Sequence, residues 1–216
     1  MFKVAAFIFL FFSDALRIVL IHRFGGWYSD LDVVFLNSLY NKKNPMKNVI
    51  SSDNWGKYIA NGIFHSEANH LFLSTAIKLF DSTFINGMYT SSGPLLFTKT
   101  IEVLCGKPII KLMQRNSTDH EFKNCSGMSL AESKLFFPYD WFHHVELAQH
   151  KANSYWEEKF NKSLAVTYYG SSSRGHKHGT PFPSVSRPNT YGMKKPALAY
   201  IGPKECPISF YSVKTF

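Results

Sequence analysis

The segment Ser13–Val34, SDALRIVLIHRFGGWYSDLDVV, constrains the fold of this 216-residue chain more than any other stretch. It reads as a helix, a Gly25-Gly26 stop and then a strand. Ser13 is placed to cap the helix, with Asp14 in its first turn, where a carboxylate suits the helix dipole. Leu16, Val19, Leu20 and Arg23 follow helical spacing, and Asp14 and Arg17, three apart, share a face. That pair is either a surface ion pair or one directed across the turn toward the strand. On the strand, Asp30 and Asp32 lie two residues apart and so project from the same side. Two hard oxygen ligands at a strand end make a seat for Mg²⁺ or Mn²⁺ that also holds a diphosphate.

The flanking chain alternates strands and helices, an α/β pattern. Residues 37–48 are polar and turn-rich, with Asn44-Pro45 a strong breaker. Val49-Ile50 and Tyr58–His65 read as strands, the second carrying Asn61-Gly62. That dipeptide is either a tight turn or an amide able to both donate and accept beside a ligand. His70–Phe80 reads as an amphipathic helix with Leu71, Leu73, Ile77, Leu79 and Phe80 as core candidates. Ser91-Ser92-Gly93-Pro94 introduces a helix over Leu95–Leu104, with Pro94 suited to its first turn. The N–H groups at such a helix start can receive an anion or a sugar hydroxyl.

With 45% apolar residues the chain is long enough for one full core, alone or with an extended tail. The net charge of +9 is concentrated late: Arg174, Lys177, Arg187, Lys194, Lys195 and Lys204 are accompanied by no acid between 170 and 204. Such a tract can meet nucleic acid, anionic lipid or phosphates, but no aromatic-interleaved motif supports nucleic-acid binding. This tail, 170–216, is rich in Gly, Ser, Pro and Lys, and reads as a lid-forming loop or as disorder. Three cysteines fit neither a zinc site nor a redox pair. N-glycosylation sequons stand at Asn116, Asn124 and Asn161. Residues 1–12 form an apolar start whose Val4–Phe12 run falls short of the ~20 residues that span a bilayer. It is signal-like, but no cleavage site separates it from Asp14, and Phe and Ile favour a buried strand. The chain thus divides into 1–12, 13–169 and 170–216.

Ser13-Asp14-Ala15-Leu16-Arg17 followed by Phe24-Gly25-Gly26-x-Tyr28-x-Asp30-Leu31-Asp32-Val33-Val34 resembles the α1,4-glycosyltransferase family of lactosylceramide 4-alpha-galactosyltransferases. The resemblance continues through Asn61-Gly62-Ile63-Phe64, Ser92-Gly93-Pro94-Leu95-Leu96, Leu135-Phe136-Phe137-Pro138, Leu164-Ala165-Val166 and Cys206-Pro207, about residues 13–210. It implies the C-terminal portion of a GT-A-like nucleotide-diphospho-sugar transferase fold, incomplete because relatives carry a membrane anchor, a stem and a nucleotide-binding half before this point. It implies Mn²⁺, UDP-galactose or a UDP-N-acetylhexosamine as donor, and a glycolipid or glycan acceptor. The reaction it implies is a retaining α1,4 transfer in the Golgi lumen, from a membrane-anchored type II form. Asp30 and Asp32 would hold metal and nucleotide, with Asp32 the more direct ligand. Asp14, Arg17, Asn61, Gly62, Ser92 and Gly93 would line the donor sugar, and Cys105 would pair with Cys125, the alternative being two buried thiols.

The chain departs from the family pattern at Ser92, where an Asn or Gln is common, at Thr167, which replaces a His that is a candidate third metal ligand, and at Gly170, which replaces an Asn. His176, on the Gly/Ser-rich loop, is the imidazole that could swing in, or else part of a solvated segment. With the upstream strands absent, weak or no activity is expected of this polypeptide alone. The alternatives are an inactive relative that binds glycans or a transferase partner in the Golgi lumen, and a secreted binding protein.

Overall fold

The computed structural model describes residues 2–39, 46–53, 56–113, 123–139, 146–147, 149 and 151–167. In chain order they form α1 (Phe2–Phe24), β1 (Gly26–Ser29), β2 (Val33–Phe35), β3 (Val49–Ser52) and β4 (Ile59–Ser66). Then come α2 (Leu71–Thr83), α3 (Pro94–Cys105), α4 (Ile109–Met113), β5 (Lys123–Cys125) and β6 (Met128–Ala131). The described elements end with α5 (Ser133–Phe136), α6 (Asn153–Phe160) and β7 (Ala165–Thr167). The chain divides into two compact units, one of residues up to 31 with 39–133, the other of 32–38 with those from 134.

The first unit is built on a mixed five-stranded sheet in the order β1-β4-β3-β6-β5. Only β3 and β6 pair in parallel; every other neighbour is antiparallel. Ile18 and Ile21 of α1 join Ile50, Ile59, Phe64, Phe72, Leu73, Leu96, Phe97 and Ile101 in one buried core. Phe97 sits edge-on to both Phe64 (5.1 Å) and Phe72 (5.0 Å), a geometry that aromatic quadrupoles favour. The register of β4 against β3 slips: Ala60 faces Ser51, but His65 faces Val49. Asn61–Phe64 is therefore out of step with β3, and such irregularities re-aim side chains and carbonyls.

The apolar start is not a strand. Residues 2–24 form one continuous helix of 23 residues, and Ser13 lies inside it rather than capping it. Nothing between 2 and 24 breaks a helix, since neither Gly nor Pro occurs there. Beyond the inward Asp14, Arg17, Ile18 and Ile21, this helix exposes Phe9, Phe12, Leu16, Val19 and Leu20, so it is apolar on both faces. Among the described residues no helix is long and apolar enough to cross a membrane. Gly25 ends α1 with φ +69, donating its N–H to the Ile21 carbonyl (2.8 Å). A Cβ there would also lie 2.7 Å from the Ala68 backbone nitrogen, so only glycine fits.

Helix α2 buries Phe72, Leu73 and Ala76, whereas Leu71 and Ile77 face out and Leu79 and Phe80 pack at the core's edge. The buried stripe differs from the expected one, with Phe72 packed edge-on to Phe97 and small Ala76 turned inward. His70 caps this helix, its Nδ1 accepting the Phe72 N–H (3.2 Å). Cys105, at the end of α3, is bridged to Cys125 on β5, with Cα atoms 5.8 Å apart.

In the second unit β2 and β7 pair antiparallel, Val33 opposite Thr167. Tyr139, Leu147, Trp156, Phe160 and Val166 make its buried core, with Trp156 stacked on Phe160. The tail 170–216, with His176, and residues 141–145, with His143 and His144, lie outside the described residues.

Candidate functional site

Arg17 is the centre of a polar cluster in the first unit and is 7% exposed. A buried guanidinium is tolerated only when its donors are met, and here they are. Nη1 donates to the Asn61 carbonyl (2.9 Å) and lies 3.1 Å from Oδ1 of Asp30. Nη2 lies 3.3 Å from Oδ1 of Asp14 and donates to the Ser13 hydroxyl (3.2 Å). Nε reaches the Ser13 carbonyl at 3.4 Å. The Tyr28 ring lies against the guanidinium, 4.5 Å from Cζ to ring centre, a cation–π contact.

Asp14, also buried, accepts from the Asn61 amide at Oδ1 (2.7 Å) and from the Ser92 hydroxyl at Oδ2 (2.7 Å). With Arg17 it has three partners, close to the capacity of a carboxylate. Asp30 differs: its side chain is 37% exposed, and its Oδ1 accepts from the Tyr28 hydroxyl (2.7 Å) as well as facing Arg17. Its backbone N–H donates to the Gly62 carbonyl (2.7 Å). Burial pushes the Tyr28 hydroxyl up to about 12, opposed by Arg17 and reinforced by Asp30, so it remains a donor at neutral pH.

Sequence spacing and tertiary contact thus meet in one place. The i,i+3 pair Asp14–Arg17 is buried and turned inward, not on the surface. Asn61 and Ser92, 47 and 78 residues from Asp14 along the chain, converge on its two oxygens. Gly62 and Gly93 line the same cluster: a Cβ at Gly93 would lie 2.4 Å from the Asn61 amide nitrogen and 2.9 Å from Oδ2 of Asp14.

The expected strand under Asp30 and Asp32 is absent. Strand β1 ends at Ser29, and Asp30, Leu31 and Asp32 form the link to β2, where Leu31 is fully exposed. Period-two alternation therefore gives no reason for the two carboxylates to share a face. Asp30 belongs to the first unit and Asp32 to the second. Tyr28, which the sequence reading gives no role, joins the site through Asp30 and Arg17, and its position two residues before Asp30 is the sequence signal for it. Ser13 likewise serves Arg17 from within α1 instead of capping a helix.

The remaining candidates lie elsewhere. Thr167 ends β7, and its hydroxyl is buried without a hydrogen-bond partner among the described atoms. Asn124 is exposed on β5, with its Oδ1 accepting from Gly127 N–H (3.2 Å), and Asn161 is exposed at the end of α6. Asn116 lies outside the described residues, as does His176.

Two carboxylates against one guanidinium leave the Arg17 cluster with a net negative charge, presented through the half-exposed Asp30. A diphosphate approaching it would be repelled unless a divalent cation intervened. Among the described residues no group of three or more His, Cys, Asp or Glu side chains gathers to hold a metal. The donor chemistry still fits a hard cation, which one or two carboxylates can hold when substrate phosphates and water complete the shell.

Two family descriptions match the chain. The alpha 1,4-glycosyltransferase conserved region matches residues 65–183, and the glycosyltransferase sugar-binding region containing the DXD motif matches residues 2–57. The chain is 30% identical over 172 residues to the lactosylceramide 4-alpha-galactosyltransferase of Rattus norvegicus, covering 75% of this chain and 44% of that protein. The Homo sapiens protein of that name is 25% identical, covering 94% and 50%. The Homo sapiens alpha-1,4-N-acetylglucosaminyltransferase is 30% identical over 159 residues, covering 71% and 41%. The chain therefore spans about half the length of the curated relatives it matches. No solved structure matches it.

Proposed function

The chain belongs to the alpha 1,4-glycosyltransferase family, and from that premise we propose that it is the sugar-transfer part of a UDP-sugar-dependent hexosyltransferase with a GT-A-like fold. The observation that carries this reading is the Arg17 cluster. It sets a buried cation between two carboxylates, one spent inside the protein and one presented at the surface. The donor is UDP-galactose or a UDP-N-acetylhexosamine, the sugars in keeping with the relatives' names, and the acceptor is a 4-hydroxyl of a glycolipid or glycan.

Asp30 would hold a Mn²⁺ ion, which when bound supplies Lewis-acid neutralisation of the UDP leaving group. The chain's own residues do the positioning. Arg17 holds Asp30 in place from one side while Tyr28 does so from another. Asn61 and Ser92 lock Asp14, and Asp14 in turn locks Arg17. Asp14 carries three partners and is not poised as a nucleophile, which favours a front-face route with retention. In that route the acceptor oxygen bonds to the anomeric carbon as the bond to the β-phosphate breaks, and a phosphate oxygen takes the hydroxyl proton. The Cys105–Cys125 bridge and the exposed sequons at Asn124 and Asn161 support an oxidising, glycosylating compartment, the Golgi lumen.

Incubating the chain with Mn²⁺, each UDP-hexose and a lactose-terminated acceptor tests the proposal. Transfer of an α1,4-linked hexose, lost in Asp30→Ala, is the expected product. Thr167, standing where the family carries a His, favours a second reading: an inactive relative that binds UDP or glycan. Saturable UDP binding without transfer to any acceptor would select it.

A further inference from the structure

We infer that Gly62 is the positioning residue for Asp30, and that it is glycine because the Asp30 carboxylate occupies the space a side chain would need. The inference rests on the reading of Asp30 as the donor-side carboxylate. Gly62 touches Asp30 twice. Its carbonyl accepts the Asp30 N–H at 2.7 Å, which fixes the backbone at the end of β1. A Cβ on Gly62 would then lie 2.7 Å from Oδ2 of Asp30 and 3.5 Å from its Cγ.

Conformation does not explain this glycine. Gly62 is not among the positive-φ glycines, which include Gly25, Gly26, Gly56, Gly87, Gly106 and Gly127, so its backbone suits any L-residue. The requirement is for space alone. Gly62 is the next cross-strand partner after the Ser29–Ile63 pair of β1 and β4, so its carbonyl meets the Asp30 N–H and its Cα lies beside the Asp30 side chain, while the Asn61 carbonyl turns to Arg17. With Tyr28 and Arg17 on Oδ1 and Gly62 beside Oδ2, the carboxylate is confined on both oxygens.

A methyl group at position 62 meets the far end of a half-exposed side chain, so the chain can yield there without repacking its core. The carboxylate must move, and it leaves the position set by Tyr28 and Arg17. Loss of such outer support typically costs ~10–100-fold in metal affinity.

The test combines binding with a stability cycle on the whole chain. Calorimetric titration of UDP in Mn²⁺ is expected to give a dissociation constant at least ~10-fold weaker in Gly62→Ala than in the parent. Thermal denaturation of the parent, Gly62→Ala, Asp30→Ala and the double variant supplies the second arm. Gly62→Ala should lower Tm in the parent background and lower it much less when Asp30 is alanine, because the clashing atoms are gone. Unchanged UDP affinity in Gly62→Ala, or an equal Tm loss in both backgrounds, overturns the inference. If Gly62→Ala alone fails to fold, recovery of a cooperative transition in the double variant supports it, and no recovery overturns it. If the parent itself does not bind UDP, the proposed function fails, and the Tm cycle still decides whether Gly62 positions Asp30.

Discussion

Arg17 shows how a single side chain can organise a site made from distant parts of a chain. Its charge is buried, so its value lies in what it keeps paired. Replacing it with Met leaves the Asp14 carboxylate buried without its cation, a kind of change that costs about 3–5 kcal/mol. Asn61 and Ser92 still donate to Asp14, which places the expected loss near the lower end, to be read from urea unfolding. Arg17→Lys should also lose stability, because an ammonium cannot reach Asp14, Asp30, Ser13 and the Asn61 carbonyl together. Two histidines set a different dependence. His65 accepts the Asn48 N–H (3.1 Å) and His70 caps α2, and both must stay neutral to do so. Burial holds both imidazoles below their usual range; Glu67 opposes it at each, Gly127 also opposes it at His70, and Lys47 adds to it at His65. A lowered folded-state value means the unfolded chain takes up protons first as pH falls. Stability present above about pH 6.5 should therefore be lost as pH drops through the folded values, seen as a falling Tm. His70→Asn, which keeps a capping acceptor that does not titrate, should flatten that slope.

The elements carry the site because each end of the cluster is set by a packed segment. α1 supplies Asp14 and Arg17, β1 supplies Tyr28, β4 supplies Asn61 and Gly62, and Ser92-Gly93 lead into α3. α3 is tied at its far end through Cys105 to Cys125, a sequence separation of 20. A bridge closing a loop of that size is typically worth about 3 kcal/mol, so reductant should lower the Tm, and Cys105→Ser/Cys125→Ser should reproduce the shift. An unchanged Tm in reductant would contradict this. The regular elements were largely readable from sequence. Tyr58–His65 and Val49-Ile50 read as strands from their apolar and β-branched residues, and the Pro94 helix carries its start signal in the chain itself. The apolar start was misread because Phe and Ile suit strands and a nine-residue apolar run has no helical period to betray it. The Asp30-Leu31-Asp32 link was misread for a related reason. Period two from β1 does not reach Asp32: strand β1 ends at Ser29, one further hydrogen bond joins Asp30 to Gly62, and the chain turns at Leu31-Asp32, a tertiary fact that no local pattern records. The convergence of Asn61 and Ser92 on Asp14 was equally unreadable as geometry, since it depends on the register slip in β4 and on the packing of α3.

At the scale of the whole molecule the chain is two units, with Asp30 of the Asp-x-Asp motif in the first and Asp32 in the second. The first unit carries a half-site that is negative overall and partly exposed, the charge state that calls for a divalent cation before a nucleotide diphosphate can bind. Its polar core is satisfied by protein alone, so donor binding need not assemble it. Calorimetric titration of UDP into the chain, with Mn²⁺ and with EDTA, tests the need for a divalent cation most directly. Saturable binding that requires Mn²⁺ and disappears in Asp30→Ala is the predicted result. No saturable binding in Mn²⁺, or binding that survives EDTA and Asp30→Ala undiminished, would contradict it.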